Sequence, residues 1–296
     1  MKAAFSSSVC PSWSLETILD QARTTGYQGV ELASVEGREI APDLPALAGD
    51  PASVRHRFAD AGIELLCLGT PLRLCGRAGS RAAASDARAF LDLAAQLGCP
   101  FVRVFAGTAP ARGGRDAWLR DVAARLRQLA QPAADENVTL VIENDADCPG
   151  SRDLWYLLDA TDHPSVACCW NPCPARRIGE RATLSVPRLA ARLRLVHICD
   201  GLVDDRGTVT ACAPPGEGHM ELARLVALVR GIGYDGYVVF DQPARQGLPS
   251  PPVETVLPAA AAFLKTQFEA RGEVLAAYKG DKTAPRFAPR PAARTR

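Results

Sequence analysis

Eight short apolar runs, each followed by a longer stretch of helical periodicity, constrain this chain more than any other feature. The runs cover residues 2–9, 28–32, 63–68, 101–105, 138–143, 166–170, 195–198 and 237–240. Between them, Trp118, Val122, Leu126 and Leu129 fall on one helical face, as do Leu222, Leu225, Val226, Val229 and Ile232. Gly26, Gly62, Gly98 and Gly233 each close a helical pattern and open a strand. The first three stand 36 residues apart, the size of one β/α unit. Strands alternating with helices predict a parallel sheet with helices outside. Eight such units favour a closed (β/α)8 TIM barrel over an open doubly wound sheet. The absence of G-x-G-x-x-G after the first strand weakens that alternative further.

With 296 residues, one barrel domain over residues 1–278 is expected, followed by a basic, Pro-containing tail over 279–296 that lacks the apolar content to pack. Two long loops, 33–52 and 204–218, fall on the face where barrel active sites lie. Apolar residues make up 47% and charged residues 23%, and the net charge is +1, which argues against a nucleic-acid partner. No apolar run is long enough to span a membrane and no export signal opens the chain, so a cytoplasmic protein is expected. The ten cysteines then read as buried free thiols. Cys168, Cys169 and Cys173 cluster, but without a C-x-x-C pair they make a weak case for structural zinc.

The last four strands end in polar residues: VTLVIEND, SVACCWNPC, RLVHICD and GYVVFDQ. The residues are Glu143, Asn171, His197 and Asp241. Side chains alternate along a strand, so Glu143 shares a face with Val141, His197 with Leu195 and Asp241 with Val239. All four can converge on the barrel axis. Two carboxylates, an amide oxygen and an imidazole suit a divalent metal (Mn, Mg, Co or Zn), with a polar pocket lacking metal as the alternative. A metal there would polarise a carbonyl, and Glu143, Asp241 and His197 would move a proton at the adjacent carbon. Epimerisation, aldose–ketose isomerisation or dehydration of a small-molecule substrate would follow.

Arg103 lies inside the apolar strand FVRVFAG with inward parity. It reads either as a clamp for a substrate carboxylate or phosphate, or as an ion-pair partner of Glu31 or Glu64. Asp200 is a candidate to orient His197 or bind substrate, or else a turn residue. Glu217 is a substrate-loop candidate or a solvated charge, and Trp13 a stacking platform or a packed lid residue. His219 opens a helix and reads as a surface residue, as do His56 and His163.

The chain resembles the xylose isomerase-like barrels, the sugar phosphate isomerase/epimerase family. The resemblance runs from SLETILDQARTTGYQGVEL, ending in Glu31, through LVHICDG, which is similar to V-H-I-K-D, to PGEG and GYDGYVVFDQ. It covers roughly four-fifths of the chain and speaks to the superfamily more than to a substrate. It implies metal ligation by Glu143, Asn171, His197 and Asp241. Asn171 stands where the family has Asp, Asp241 where it has Glu, and Cys199, inward by parity, where it has Lys. Weaker metal affinity and an altered substrate contact are expected. The family's members often form homo-oligomers. Loss of the metal would leave either a binding or scaffold protein, or a metal-independent biosynthetic enzyme. The family's apurinic-site endonuclease branch uses several more histidines than the four present.

Overall fold

The computed structural model describes residues 1–75, 80–110, 114–204, 209–242 and 248–270, with 80–84 described by backbone alone. All eight expected strands are present. They are β1 (Lys2–Ser6), β2 (Gly29–Leu32), β3 (Glu64–Cys75), β4 (Phe101–Gly107), β5 (Thr139–Glu143), β6 (Val166–Trp170), β7 (Leu193–Ile198) and β8 (Tyr237–Phe240). They close into one parallel barrel in sequential order, β8 pairing with β1. The helices lie between the strands in sequence, as the alternation predicts. Gly26 and Gly62 end two of them in the left-handed conformation, at φ 85° and 67°.

Strand alternation divides the core. Ala4, Leu66, Val141, Ala167, Leu195 and Val239 fill the lumen as one buried cluster. Phe5, Val30, Val104, Ile142, Ile198 and Phe240 face outward into the larger cluster that takes in the helices. The lumen is therefore plugged by apolar side chains below, and only the strand tips can present polar groups to a ligand.

Three details differ from the sequence expectation. Residues 7–9 form a 3-10 turn rather than a continuation of β1. The Ser7 hydroxyl accepts from Ala33 N and Ser34 N, each at 2.9 Å, so it bonds the chain leaving β2. Strand β3 runs on past residue 68, with Arg73 beside Phe105 and Cys75 beside Gly107. Both expected loops take part in pairing: within the first, Ser34–Val35 pairs with Arg38–Glu39, and Val209–Ala213 of the second pairs with Asp200–Val203 just before it. The tail expected over 279–296 lies outside the described residues. Among the described residues, no helix is long and apolar enough to cross a membrane.

Gly69 on β3 leaves room for Glu31. A Cβ there would lie 2.7 Å from Glu31 Oε1 and 3.1 Å from the Ala33 Cβ. Gly69→Ala is expected to lower stability by about 1–3 kcal/mol through overpacking of a buried position. Gly37→Ala, which meets nothing within 4 Å, serves as the comparison for left-handed strain alone, both read by chemical denaturation.

Candidate functional site

The strand tips meet as the parity argument requires. Glu143 ends β5, His197 lies near the end of β7, and Asp241 follows β8; all three are buried. The His197 imidazole stands at the centre. Its Nδ1 lies 3.2 Å from Glu143 Oε1 and 3.3 Å from Asp241 Oδ2, and its Nε2 lies 3.2 Å from Glu31 Oε2. Ser8 Oγ donates to Asp241 Oδ1 from the turn after β1.

Arg103 joins this cluster from β4. A single nitrogen, Nη1, lies 3.0 Å from Glu31 Oε1, 3.2 Å from Glu143 Oε2 and 3.8 Å from Asp241 Oδ2. The ion pair with Glu31 weighed from sequence is present, and the other partner considered, Glu64, pairs instead with Lys2 at 2.6 Å. Two buried atoms of the cluster have no hydrogen-bond partner: Glu143 Oε2 and Arg103 Nε.

Burial opposes the charge on every member of this group, and the neighbours decide the outcome. For His197, Cys169, Glu143, Glu31 and Asp241 outweigh desolvation and hold the imidazole protonated well above the usual histidine range. For Glu31, Arg103 and then His197 outweigh it, holding the carboxyl below its ordinary range. Asp241 is also lowered, by His197 first and by Arg103 and Ser8 after it. Formally, three carboxylates face two cations, leaving one net negative charge.

Asn171 departs from its expected role. Its Oδ1 accepts from Cys173 N at 3.0 Å, capping the helix Pro172–Arg177, while its Nδ2 donates to Glu143 Oε1 at 2.9 Å. Reversing the amide would oppose NH2 to N–H and oxygen to carboxylate, so the network fixes this orientation. The amide oxygen expected as a metal ligand is thus committed to the backbone. Asn144 fastens the same corner, its side chain bonding both N and O of Asn171 at 2.7 Å.

The other candidates sit elsewhere. Asp200 is buried, but its carboxylate accepts from the backbone N–H of Gly201, Gly216, Gly218 and Met220, organising its loop rather than orienting His197. Glu217 is exposed. Trp13 is half-buried against the main apolar core. His219 is exposed and accepts from Val203 N. Cys199 does line a small cavity with Asn171, Asp200 and Asp241, but it is bonded to Cys173, which corrects the expectation that every cysteine is a free thiol. The other eight are free, seven of them buried. A larger cavity, about 460 Å³, opens on the opposite side of the cluster, lined among others by Ser8, Thr70, Arg73, Arg103 and Phe105.

The donor geometry suits a divalent ion in part. Metal bonds of about 2.0–2.2 Å place adjacent ligands roughly 3.0–3.4 Å apart, and the His197 Nδ1 separations from Glu143 and Asp241 fall in that range. Glu143 Oε2 accepts no hydrogen bond and is held by the ion pair with Arg103 alone, at 3.2 Å. Cys169 Sγ lies within 4.8 Å of the Glu143 and His197 donors, although burial pushes its thiol up to about 12. Among the described residues, Glu143, Cys169 and His197 bring donor atoms within 4.8 Å of one another, and Asp241 adds a carboxylate 3.3 Å from His197 Nδ1.

A family model described as xylose isomerase-like TIM barrel matches residues 19–267. The chain belongs to that family. No curated protein matches it. Among solved structures, a xylose isomerase-like TIM barrel/4-hydroxyphenylpyruvate dioxygenase fusion protein superposes with a TM-score of 0.74 at 22% identity. The match covers 99% of this chain and 47% of the fusion, so the chain spans about half of that protein's length. A probable 3-DHS dehydratase, AsbF of Bacillus anthracis, gives 0.75 at 16% identity, over 92% of this chain and 100% of its own. The IOLI protein, with a bound zinc atom, gives 0.74 at 16%, over 90% and 96%. Other matches are named as sugar epimerases.

Within this xylose isomerase-like frame the sequence missed Glu31 as a member of the site, although its signal was available. The run GVEL places one charged residue in an apolar strand whose register sets it beside Ser6 and Cys67. Ser8 carried no comparable signal, because a residue expected in a strand lies in a turn.

The shifted groups predict a stability window. Glu31 and Asp241, lowered in the fold, contribute stability that is present above about pH 4 and lost as pH falls through their folded values. His197, raised in the fold, contributes stability that is complete below about pH 6.5 and declines as pH rises toward its folded value, by at most about 1.4 kcal/mol per pH unit. Thermal melts are expected to show both losses in the wild type, and the part of the alkaline loss between about pH 6.5 and 8, below the range in which the buried thiols titrate when unfolded, is expected to disappear in His197→Gln.

Proposed function

We propose that the protein is a metal-assisted isomerase, epimerase or dehydratase that moves a proton at the carbon alpha to a carbonyl of a small polyhydroxylated or keto substrate. The observation that carries this reading is the meeting of Glu143, His197 and Asp241 at one point above a closed apolar lumen. Its setting supports the reading: the adjacent cavity of about 460 Å³ suits a small molecule, and proteins of like fold are named as epimerases and as a probable dehydratase.

Glu143, His197 and Asp241 would hold the metal. Bound there, a divalent ion supplies Lewis acidity that polarises the carbonyl and acidifies the neighbouring C–H. Glu143 Oε2, buried and held by no hydrogen bond, becomes the base once Arg103, 3.2 Å away, turns from it toward the substrate. Asp241, on a different strand, is the second proton-transfer group. Return of the proton to the opposite face gives an epimer, return to the adjacent carbon gives an aldose–ketose pair, and loss of a β-hydroxyl gives dehydration. Arg103 stabilises the negative charge that develops on the substrate oxygen, and its position on the wall of the larger cavity also suits it to an anionic substituent of the substrate.

The test is hydrogen–deuterium exchange at the alpha carbon, followed by NMR across a panel of keto sugars and hydroxylated keto acids. Exchange is expected with at least one member. Glu143→Gln and His197→Gln are expected to reduce it at least about a hundredfold under conditions where circular dichroism shows each variant folded. Exchange that survives in both variants, or that is untouched by exhaustive chelation, contradicts the reading.

A further inference from the structure

We propose that the Arg103 guanidinium holds the cation position of this acid cluster and competes with a divalent metal ion for it, so that Arg103 sets the metal affinity of the chain. The inference rests on the metal-assisted reading above and concerns a residue outside the expected ligand set.

The geometry is that of a resident counter-ion. One nitrogen of Arg103 lies within 3.8 Å of carboxylates from β2, β5 and the end of β8, across the width of the lumen. Two of those carboxylates, Glu143 and Asp241, also flank His197 Nδ1 and are the acids a metal would need. The guanidinium does not form the two-pronged pair in which arginine excels. Its Nη1 serves all three acids while its buried Nε has no partner, so it acts here as a single positive charge. A divalent ion among the same oxygens would face that charge at close range in a buried setting, where like charges repel strongly.

The surroundings also provide a destination for the displaced group. Arg103 lines the larger cavity, together with Ser8, Ser34, Glu39 and Thr70, and its guanidinium lies 5.1 Å from the centre of the Phe105 ring. Rotation into that cavity keeps the cation near polar partners and an acid while freeing Glu143 and Asp241. Arg73 lies equally close to Phe105, at 5.1 Å, but its side chain is paired with Asp145 at 2.7 Å. Proximity to the cavity can thereby be separated from contact with the cluster.

The experiment is Mn²⁺ titration of the full chain by calorimetry, with the bound ion counted by electron paramagnetic resonance. Arg103→Met is expected to bind Mn²⁺ at least tenfold more tightly than the wild type, Arg103→Lys to fall between them, and Arg73→Met to match the wild type within twofold. If Arg103→Met does not fold, the double substitution Arg103→Gln with Glu31→Gln removes one charge of each sign and is expected to show the same tightening. Wild type and Arg103 variants binding Mn²⁺ with equal affinity would overturn the role of Arg103 and leave the metal site standing. No Mn²⁺ binding in any variant would overturn both. An equal gain in Arg73→Met would reduce the effect to general surface charge and overturn the proposal.

Discussion

Everything at the mouth of this barrel depends on neutralising three buried carboxylates. Glu31, Glu143 and Asp241 are brought together by strands that are neighbours neither in sequence nor in the sheet. Unpaired, such charges would cost several kcal/mol each. His197 and Arg103 meet that cost from β7 and β4, and the network extends outward through Ser8 to Asp241 and through Asn171 to Glu143. The apolar lumen beneath supplies the low dielectric that makes these pairs strong and makes the loss of either cation severe.

The same arrangement explains how a departure from the family's ligand pattern need not destroy the site. Asn171 gives up its oxygen to the helix that follows β6 and turns its amide nitrogen toward Glu143. Glu143 is thereby positioned by a neutral donor where the family pattern would place a second acid. Asp241, though shorter than the usual Glu, still reaches His197 at 3.3 Å because Ser8 and the end of β8 place it at the rim of the cluster. Glu31 from β2 adds a further acid to the group, and His197 and Arg103 face all three.

Much of this was legible in the sequence because it follows from period and parity. Glycines 36 residues apart and eight apolar runs dictate the barrel, and the alternation Val141–Glu143, Leu195–His197 and Val239–Asp241 dictates which side chains face the lumen. Contacts made by loops were less accessible. Nothing local to Asp200 says that its carboxylate will accept from four backbone N–H groups of the loop ahead, nor does spacing reveal that Cys173 and Cys199, on successive β/α units, are joined. Asn171 lies beside Glu143 at the end of β6, where its oxygen, expected as a ligand, accepts from Cys173 N. An asparagine before proline reads equally as a ligand or as a helix cap, and only the position of Cys173 N decides between them.

In the metal-free protein His197 is an imidazolium among three buried carboxylates, and a divalent ion bound at its Nδ1 would have to displace the proton there. Nitrogen-15 NMR of the histidine rings tests this charge state most directly, because the chain has only four histidines and His56 and His219 are exposed. In protein stripped of metal by chelation and held at pH 8, where free histidine is neutral, one ring is expected to retain protons on both nitrogens, with both hydrogen bonds protected from solvent exchange. Four neutral rings at that pH would contradict the charge arrangement on which the rest of the site is built.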